Sequence, residues 1–284
     1  MQTRSTMTAI ALGLAAAVAM PAFAQDAGPD RDGHFSGPYI QGFFGSASRG
    51  KDTGDSLRFD TNRDGRYNDV VTLANGADAF SPGFCDGGAR GATRASGCRG
   101  DKDGIEYGGR IGYDYRMNNF VFGGLVEASK NEAVDRTTGF STTPASYTFE
   151  RELKYNVSGR LRAGYTPGGG ALFYVTGGGG MAKINHSFFT TNAANSFSEN
   201  RDGKMVWGWQ AGGGAEIMVT NNISLGVEYL YNRYKDNKYN VAVDRGTAPV
   251  TNPFLTGGGN GSNIKLTNSD FNFHSLRATV GFHF

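Results

Sequence analysis

The sequence predicts an all-β protein, an eight-stranded antiparallel up-and-down transmembrane β-barrel with short periplasmic turns and long extracellular loops. Three observations predict it: an N-terminal segment with the pattern of a cleaved export signal, stretches in which apolar and polar residues alternate, and connections that are alternately short and long. Alternation with a period of two is the pattern of a β-strand, so these stretches indicate strands rather than helices.

The first 24 residues have the pattern of a signal peptide. Arg4 supplies a positive charge, an apolar run follows, and Ala22-Phe23-Ala24 has the small-x-small form of a cleavage site. The apolar run is too short for a spanning helix, which needs about 20 apolar residues. We expect Sec-dependent export, cleavage after Ala24, a mature chain that starts at Gln25, and a periplasmic segment over residues 25–36.

Composition excludes several classes of protein. The chain has 28 Lys and Arg against 26 Asp and Glu, and removal of Arg4 lowers the net charge from +2 to +1, so no nucleic-acid partner is expected. The 44 glycines do not follow the period of collagen, and an aromatic content of 12% is too high for a disordered chain. The composition therefore indicates an exported β-protein rich in glycine and aromatic residues.

Four stretches, which begin at Ile105, Leu153, Met205 and Leu225, alternate between an apolar face and a second face. The apolar face carries aliphatic and aromatic residues, and Leu153 belongs to it. The second face is mostly glycine, with arginine and glutamate at intervals. A soluble barrel would bury the apolar face. A face crowded with Gly, Arg and Glu is instead typical of the interior of a transmembrane barrel, whose apolar face contacts lipid.

Eight strands are predicted, near residues 37–47, 104–116, 119–130, 152–165, 171–183, 203–219, 222–235 and 272–284. Short turns lie at residues 117–119, 166–170 and 220–222, and long segments lie near residues 48–103, 131–151, 184–202 and 236–271. Bacterial outer-membrane barrels have short periplasmic turns and long extracellular loops. We therefore predict a barrel over residues 37–284, with both termini in the periplasm and a first extracellular loop at about 48–103.

Several segments resemble a known family: "GPYIQGFFG", "YGGRIGYDY", "FVFGGLVEA", "VSGRLRAGY", "LFYVTGGGG" and "SLGVEYLY", ending in "TVGFHF". They resemble the small eight-stranded outer-membrane β-barrel proteins of alphaproteobacteria, relatives of the OmpA transmembrane domain and of the opacity-type porins. The resemblance implies a place in the outer membrane of a Gram-negative bacterium, in contact with outer-membrane lipid and lipopolysaccharide. It also implies that the barrel-assembly machinery reads the last strand, with Phe284 as the assembly signal.

Two features depart from that family. The first long segment is larger than usual, and no peptidoglycan-binding domain follows the barrel, so a tether to the cell wall is not expected.

Charged residues are predicted inside the barrel, where an eight-stranded wall leaves just enough room for side chains. They are Arg110, Glu127, Arg160, Arg162, Glu216, Glu228 and Arg277. Ion pairing is expected among them, because an unpaired buried charge is costly. We favour a plugged structural core. The alternative is a narrow small-solute pore that is weakly anion-selective because Arg exceeds Glu.

Cys85 and Cys98 are the two cysteines of the chain, and both lie in the first long segment. An exported loop passes through the oxidising periplasm, so a disulfide is predicted. Free thiols or metal ligation are the alternatives, and "CDGGARGATRASGC" offers only Asp86 as a further ligand.

The histidines give no indication of enzyme activity. The four are scattered, without metal-ligand spacing and without a nucleophile elbow. His186 and His274 can lie near the outer rim, where some barrels carry catalytic acids, but no matching acidic or serine cluster stands out. We expect no enzyme.

The segment "DTNRDGRYND", residues 60–69, resembles the start of the calcium loops of dockerins and EF-hands. The predicted ligands are Asp60, Asn62, Asp64, the Arg66 carbonyl and Asn68. Val71 stands where a bidentate acid is usual, although Asp69, Asp101 and Asp103 can partly substitute. The alternative is a turn rich in Asp, Asn and Gly that needs no metal. No other cofactor is expected.

The role expected from the sequence is structural or surface interaction in the cell envelope, with an extracellular or host ligand as a candidate partner. The small-solute porin is the alternative.

Overall fold

The computed structural model describes residues 33–49 and 54–284. The predicted signal peptide and the start of the mature chain at Gln25 lie outside these residues. The strands, in chain order, are β1 (Gly37–Ser48), β2 (Leu57–Asp60), β3 (Phe84–Asp86), β4 (Gly88–Ala89), β5 (Cys98–Arg99), β6 (Gly104–Met117), β7 (Phe120–Asn131), β8 (Val134–Ser141), β9 (Ala145–Tyr165), β10 (Ala171–Thr190), β11 (Ser196–Asn200), β12 (Met205–Met218), β13 (Ile223–Lys235), β14 (Asn240–Asp244), β15 (Ser262–Leu266) and β16 (Asp270–His283). A 3-10 helix covers Arg94–Ser96.

Eight antiparallel strands close into a barrel. The order around the wall is β1, β6, β7, β9, β10, β12, β13, β16 and back to β1, with β10 also paired to β9. Closure leaves no free edge in the wall, so its backbone N–H and C=O groups are paired within the sheet. The structure confirms the predicted eight-stranded antiparallel barrel.

The outer face of the wall is apolar and exposed. Ile111, Leu161 and Trp207 are 64%, 74% and 69% exposed, whereas the alternate residues along the same strands point inwards. An exposed apolar band of this kind is the surface that contacts lipid in a transmembrane barrel. Within residues 33–49 and 54–284, no helix has the length and apolar character needed to cross a membrane.

The central strands β9 and β10 are longer than predicted. β9 begins at Ala145 rather than at residue 152, and β10 continues to Thr190 rather than ending at residue 183. A bulge at Lys154 shifts the pairing, because Lys183 faces Tyr155 while Ile184 faces Leu153. One extra residue reverses the direction of the side chains beyond it. The assignment of Leu153 to the outer apolar face is therefore wrong, since it is fully buried inside.

The long connections fold together at the extracellular end. We call their described parts, residues 54–103, 132–151, 184–202 and 236–269, the cap. A second antiparallel sheet in the order β11-β14-β15-β2 joins the first, third and fourth connections, while β3 and β8 extend the wall beside β9. Apolar and aromatic side chains from the first, second and fourth connections form its core, and Phe188 and Phe197 of the third connection pack against it. The core residues are Leu57, Phe59, Val71, Ala79, Phe80, Ala145, Tyr147, Phe149, Tyr239, Val241, Val243, Phe254 and Ile264.

A disulfide holds part of the cap. Cys85 on β3 is bonded to Cys98 on β5, with the two Cα atoms 6.5 Å apart. It joins residues 13 positions apart and closes a loop that contains β4 and the 3-10 helix. The structure contains the predicted disulfide.

Candidate functional site

The middle of the barrel holds a network of ion pairs. Arg277 lies 2.7 Å from Glu127 and 3.0 Å from Glu228, measured between guanidinium nitrogens and carboxylate oxygens. Arg110 lies 2.7 Å from Glu228, and Arg160 lies 2.5 Å from Glu127. These five side chains come from five different wall strands and are almost completely buried. Each carboxylate contacts at least two arginines, so the pairs form one connected cluster.

A second group of pairs lies nearer the periplasmic end. Arg162 donates from Nε to Asp114 at 2.8 Å, and its Nη1 lies 3.3 Å from Glu216. Gln41 links this group to the central cluster, because it donates to Glu216 at 2.7 Å and accepts from Arg110 at 2.6 Å. All seven charged residues predicted for the interior therefore point into it and have charged partners.

Sequence reasoning missed two lumen acids. Glu106 and Asp114 lie on the same inward face of β6 as Arg110, and both are 1% exposed. Each lies four residues from Arg110, and residues at even spacing along a strand share one face, so this spacing could have identified them. With them, the lumen network described here contains five carboxylates and four arginines. The expected excess of Arg over acid is wrong.

Apolar layers close the network at both ends. On the extracellular side the layer consists of Ala47, Ala133, Leu153, Ala182, Ile184, Tyr234, Phe271 and Phe273. On the periplasmic side it consists of Phe35, Val121, Leu172 and Tyr174. Phe35 has a φ of 58°, a conformation that is rare and strained for a bulky residue. Its side chain is 1% exposed, so the strained backbone places an aromatic ring inside the periplasmic end of the barrel.

Glycine makes room for aromatic rings beneath the arginines. A Cβ at Gly112 would lie 2.5 Å from the Tyr39 ring, so any side chain there would displace this tyrosine. The Tyr39 ring lies 4.6 Å below the Arg162 guanidinium, measured to the ring centroid. A cation over an aromatic face is attracted to it, and this contact adds to the ion pairs. The glycines of the inner face thus leave room for the large side chains beside them.

A further charged group lies where the barrel meets the cap. Arg49 and Arg151 both contact the carboxylate of Asp135. Oxygens of Asp86, Asp101 and Asp135 all lie within 4.8 Å of one another. Burial raises the pKa of Asp101 to about 7, the Arg136 backbone N–H opposes this rise, and the charge of Asp86 adds to it. The arginines on Asp135 already balance part of this negative charge.

The predicted calcium loop forms a turn that is held by its own amides. The Asp60 carboxylate accepts hydrogen bonds from the backbone N–H groups of Asp64 and Gly65, at 3.0 and 3.1 Å. Asn62 also accepts from Asp64, at 3.0 Å, and Asp64 accepts from the Arg66 backbone N–H at 2.8 Å. These contacts are those of an Asx-rich turn. Calcium at Asp60, Asn62, Asp64, Arg66 and Asn68 stays a prediction.

Of the three acids considered as substitute calcium ligands, one lies in the turn and two lie elsewhere. The Asp69 carboxylate joins the turn, where it accepts from the Thr61 backbone N–H at 2.8 Å. Asp101 and Asp103 do not, because they accept hydrogen bonds from the Arg136 backbone N–H and the Ser48 hydroxyl. Among the described residues, the one group of three metal-capable His, Cys, Asp or Glu side chains is that of Asp86, Asp101 and Asp135.

The histidines have polar partners. His186 Nε2 lies 2.9 Å from the Asp236 carboxylate, so an acid that sequence reasoning did not match to this residue lies beside it. The His274 ring contacts the Tyr229 hydroxyl at 2.6 Å on the outer face. His283, Ser224 and Glu216 come together in the lumen, but one His283 nitrogen, Nε2, contacts both of the others. In a catalytic triad the acid and the nucleophile contact opposite ring nitrogens, so this geometry differs.

The last residue lies at the seam of the barrel. The Phe284 backbone N–H donates to the Pro38 carbonyl at 3.1 Å, and its side chain is 67% exposed on the outer face. Its ring contacts that of Phe282 edge-on, with centroids 5.1 Å apart. The aromatic end of β16 is thus available on the surface, and its role as an assembly signal stays a prediction.

Comparisons with known proteins agree with this architecture. The family model described as "Outer membrane protein beta-barrel domain" matches residues 10–284. The 31 kDa outer-membrane immunogenic proteins of Brucella melitensis biotype 1 and Brucella suis biovar 1 are each 26% identical to this chain over 177 residues, which is 62% of this chain and 65% of each relative. The match thus spans slightly less than two-thirds of the relatives' length.

Among solved structures, the outer membrane protein OprG from Pseudomonas aeruginosa is similar with a TM-score of 0.50 and 13% identity, over 90% of this chain and 100% of that chain. Neisserial surface protein A has a TM-score of 0.35 and 13% identity, over 88% of this chain and 98% of that chain. At this identity the likeness to OprG shows the fold alone. Because the family model matches nearly the whole chain, the chain belongs to the family of outer membrane protein β-barrel domains and is located in the outer membrane of a Gram-negative bacterium.

Proposed function

We propose that this protein is a non-conducting anchor in the outer membrane whose working part is the cap, a folded extracellular surface that interacts with a partner outside the cell. The observation that carries the proposal is the content of the lumen, in which a connected ion-pair network lies between two apolar layers. The barrel then serves to hold the cap at the cell surface.

The lumen contents oppose the passage of ions. A solute that entered would have to separate buried pairs such as Arg277 and Glu127, and breaking one buried pair costs about 3–5 kcal/mol. It would also have to pass rings such as Phe35 and Phe273, which are fully buried in the apolar layers. Both barriers favour a closed barrel rather than a conducting pore.

The small-solute porin is the less favoured role. Its predicted anion selectivity depends on more arginine than acid in the lumen, whereas the acids there outnumber the arginines. No part of the network supplies the uncompensated positive charge that an anion path needs.

The cap has the properties of a surface built to keep its shape. It has its own aromatic core, a sheet that joins three connections, and a disulfide. The relatives in Brucella are named outer-membrane immunogenic proteins, which supports exposure of the corresponding surface here to the outside. A cap held in one shape favours recognition of an extracellular or host ligand, because less conformational entropy is lost on binding.

The position of the protein in the outer membrane gives it further partners. Outer-membrane lipid and lipopolysaccharide surround the apolar band, and the barrel-assembly machinery engages Phe284 during biogenesis. Calcium in the first loop is an accessory ligand, and neither a nucleic acid nor an enzymatic reaction is part of the role. The arrangement of Ser224, His283 and Glu216 supports the last point, because all three side chains are buried in the lumen and a single His283 nitrogen contacts both of the others.

Solute flux into liposomes tests the closed lumen. Liposomes that carry the refolded full chain should swell in small sugars and amino acids no faster than empty liposomes, while a known porin gives rapid swelling in the same lipid. Swelling that falls with increasing solute size would instead establish the porin.

A further inference from the structure

A cavity of about 250 Å³ lies where the cap meets the extracellular ends of the wall strands. The residues that matter for its chemistry are Arg58, His186, Asp236, Asn237, Lys265 and Ser269. They come from the first, third and fourth connections and from the extended part of β10, so the cavity forms only when the cap folds.

Two cations lie side by side in its wall. Arg58 on β2 and Lys265 on β15 are directly opposite each other in the antiparallel pairing. Like charges at opposed positions destabilise a sheet unless a counter-charge lies between or beside them. Among the described residues, Arg58 has no ion-pair partner, and the Lys265 ammonium lies 4.1 Å from the Tyr67 ring centroid rather than on a carboxylate. The pair thus lacks an anion.

The one acid in the cavity wall is already engaged. Asp236 lies 2.9 Å from His186 Nε2 and 3.7 Å from an Arg151 guanidinium nitrogen. Its charge is therefore shared with groups other than Arg58 and Lys265. The cavity keeps a positive balance, which favours an anionic ligand.

His186 contributes its ring to the cavity wall. His186 is 5% exposed and lines the cavity, and its Nδ1 has no hydrogen-bond partner within the described chain. The nearest carboxylate oxygen, on Asp202, lies 3.6 Å from it, beyond hydrogen-bond distance. This nitrogen is covered by protein on the Asp202 side of the ring, and Asp202 does not line the cavity, so Nδ1 is not a contact for a ligand there.

Size limits the ligand to one polar unit. Pockets for drug-sized ligands have volumes of about 300–1,000 Å³, and this cavity is smaller. Arg58 and Lys265 can bind a phosphate group, and the neutral side chains of Asn237 and Ser269 in the same wall can form hydrogen bonds with hydroxyl groups. We propose that this cavity binds a phosphate-bearing sugar unit, with Arg58 and Lys265 on the phosphate.

The cavity lies at the level expected of lipid headgroups. Trp209, on the outer face of β12, is opposite Arg233 on β13. Aromatic residues of this kind form the interfacial girdle of outer-membrane barrels. Asp236 follows three positions later, about 10 Å further along the chain towards the extracellular end at the rise of a β-strand. The sugar phosphate can therefore belong to a glycolipid of the outer leaflet or to a soluble molecule.

The test uses the refolded full chain in nanodiscs and two probes. Glucosamine 6-phosphate is titrated calorimetrically as the soluble probe, and nanodiscs that contain lipid A or dephosphorylated lipid A provide the glycolipid. The variants are Arg58→Gln and Lys265→Gln. Arg90→Gln is the control, because Arg90 is an exposed arginine of the same connection that does not line the cavity. Heat-dependent gel mobility verifies that each variant forms the barrel.

Each cavity variant should weaken binding at least about tenfold, as expected for the loss of a hydrogen bond to a charged group, and Arg90→Gln should not. Binding of glucosamine 6-phosphate with that pattern assigns a soluble ligand. Slower proteolysis of the cap in nanodiscs that contain lipid A, but not in nanodiscs that contain its dephosphorylated form, assigns the glycolipid. Absence of binding to both probes, or equal binding by folded cavity variants and wild type, would overturn the proposal. The inference depends on the folded cap of the proposed function but not on the closed lumen, so conductance and probe binding can fail independently.

Discussion

Arg277 on β16 and Glu127 on β7 meet across the lumen at 2.7 Å, although 150 residues separate them in the chain. Their strands are three positions apart around the wall, so the pair forms only when the barrel is closed. Glu127 also contacts Arg160 and lies 3.8 Å from Arg110. The network is therefore a property of the closed barrel rather than of any one hairpin.

Glu127→Gln should lower the free energy of unfolding by about 3–5 kcal/mol, because it leaves arginines buried without a full counter-charge. Urea titration in detergent micelles, followed by tryptophan fluorescence, measures the loss. Glu132→Gln is the matched control, since Glu132 is exposed five residues later and should change stability by less than about 0.5 kcal/mol. Equal stability of the two variants would show that the lumen pairs do not support the barrel.

Cys85→Ser should leave the barrel intact and make the cap easier to cleave. Closing a loop of this size stabilises the folded form by about 3 kcal/mol in the chain-entropy model. Limited proteolysis of whole cells should therefore cut the first connection faster in the variant, while gel mobility of the protected barrel stays unchanged. Free thiols at both positions in the native protein would contradict the expectation.

The first connection should lose local stability as the pH rises from about 4 to about 7. Burial raises the pKa of Asp101 to about 7, so the folded form binds a proton that the unfolded form releases at lower pH. The stabilising contribution is complete below the unfolded pKa and is lost as the pH passes the folded pKa. Proteolysis rates across this range should rise with pH in wild type and vary less in Asp101→Asn. The same pH profile in both proteins would exclude Asp101 as the titrating group.

Millimolar calcium should slow cleavage of the first connection if the loop of residues 60–69 binds the ion as the sequence predicts. The incomplete ligand set indicates a dissociation constant of about 10⁻⁴–10⁻³ M. Asp64→Ala should abolish the protection, whereas Asp78→Ala, which changes an acid of the same connection outside the loop, should retain it. Equal cleavage in calcium and in chelator would leave only the turn held by its own amides.

Much of the wall could be predicted from the sequence because lipid, rather than a specific partner, selects its outer face. The strands and all seven lumen charges were predicted from the alternation of apolar and polar residues. The same rule could have placed Glu106 and Asp114 in the lumen. Leu153 was misplaced because the bulge at Lys154 changes the face without any local signal. A bulge depends on how two strands pair, which alternation within one strand does not contain.

The cap could not be predicted in the same way. Its sheet pairs β2 with β15, which lie about 200 residues apart, and its core joins Phe80, Tyr147 and Phe254 from three connections. Contacts between distant short segments leave little periodic signal in the sequence. The partners of His186 and the opposed pair of Arg58 and Lys265 depend on that assembly, so they could be found only in the structure.

Single-channel recording tests the central claim most directly. The refolded full chain is added to a planar lipid bilayer in 1 M KCl, and its insertion is verified by recovery of folded barrel from the same liposomes used for fusion. The closed lumen predicts a current that stays at the baseline of the bare bilayer over the voltage range in which that bilayer is stable. Discrete, reproducible current steps from the wild-type protein would contradict it and assign the porin role.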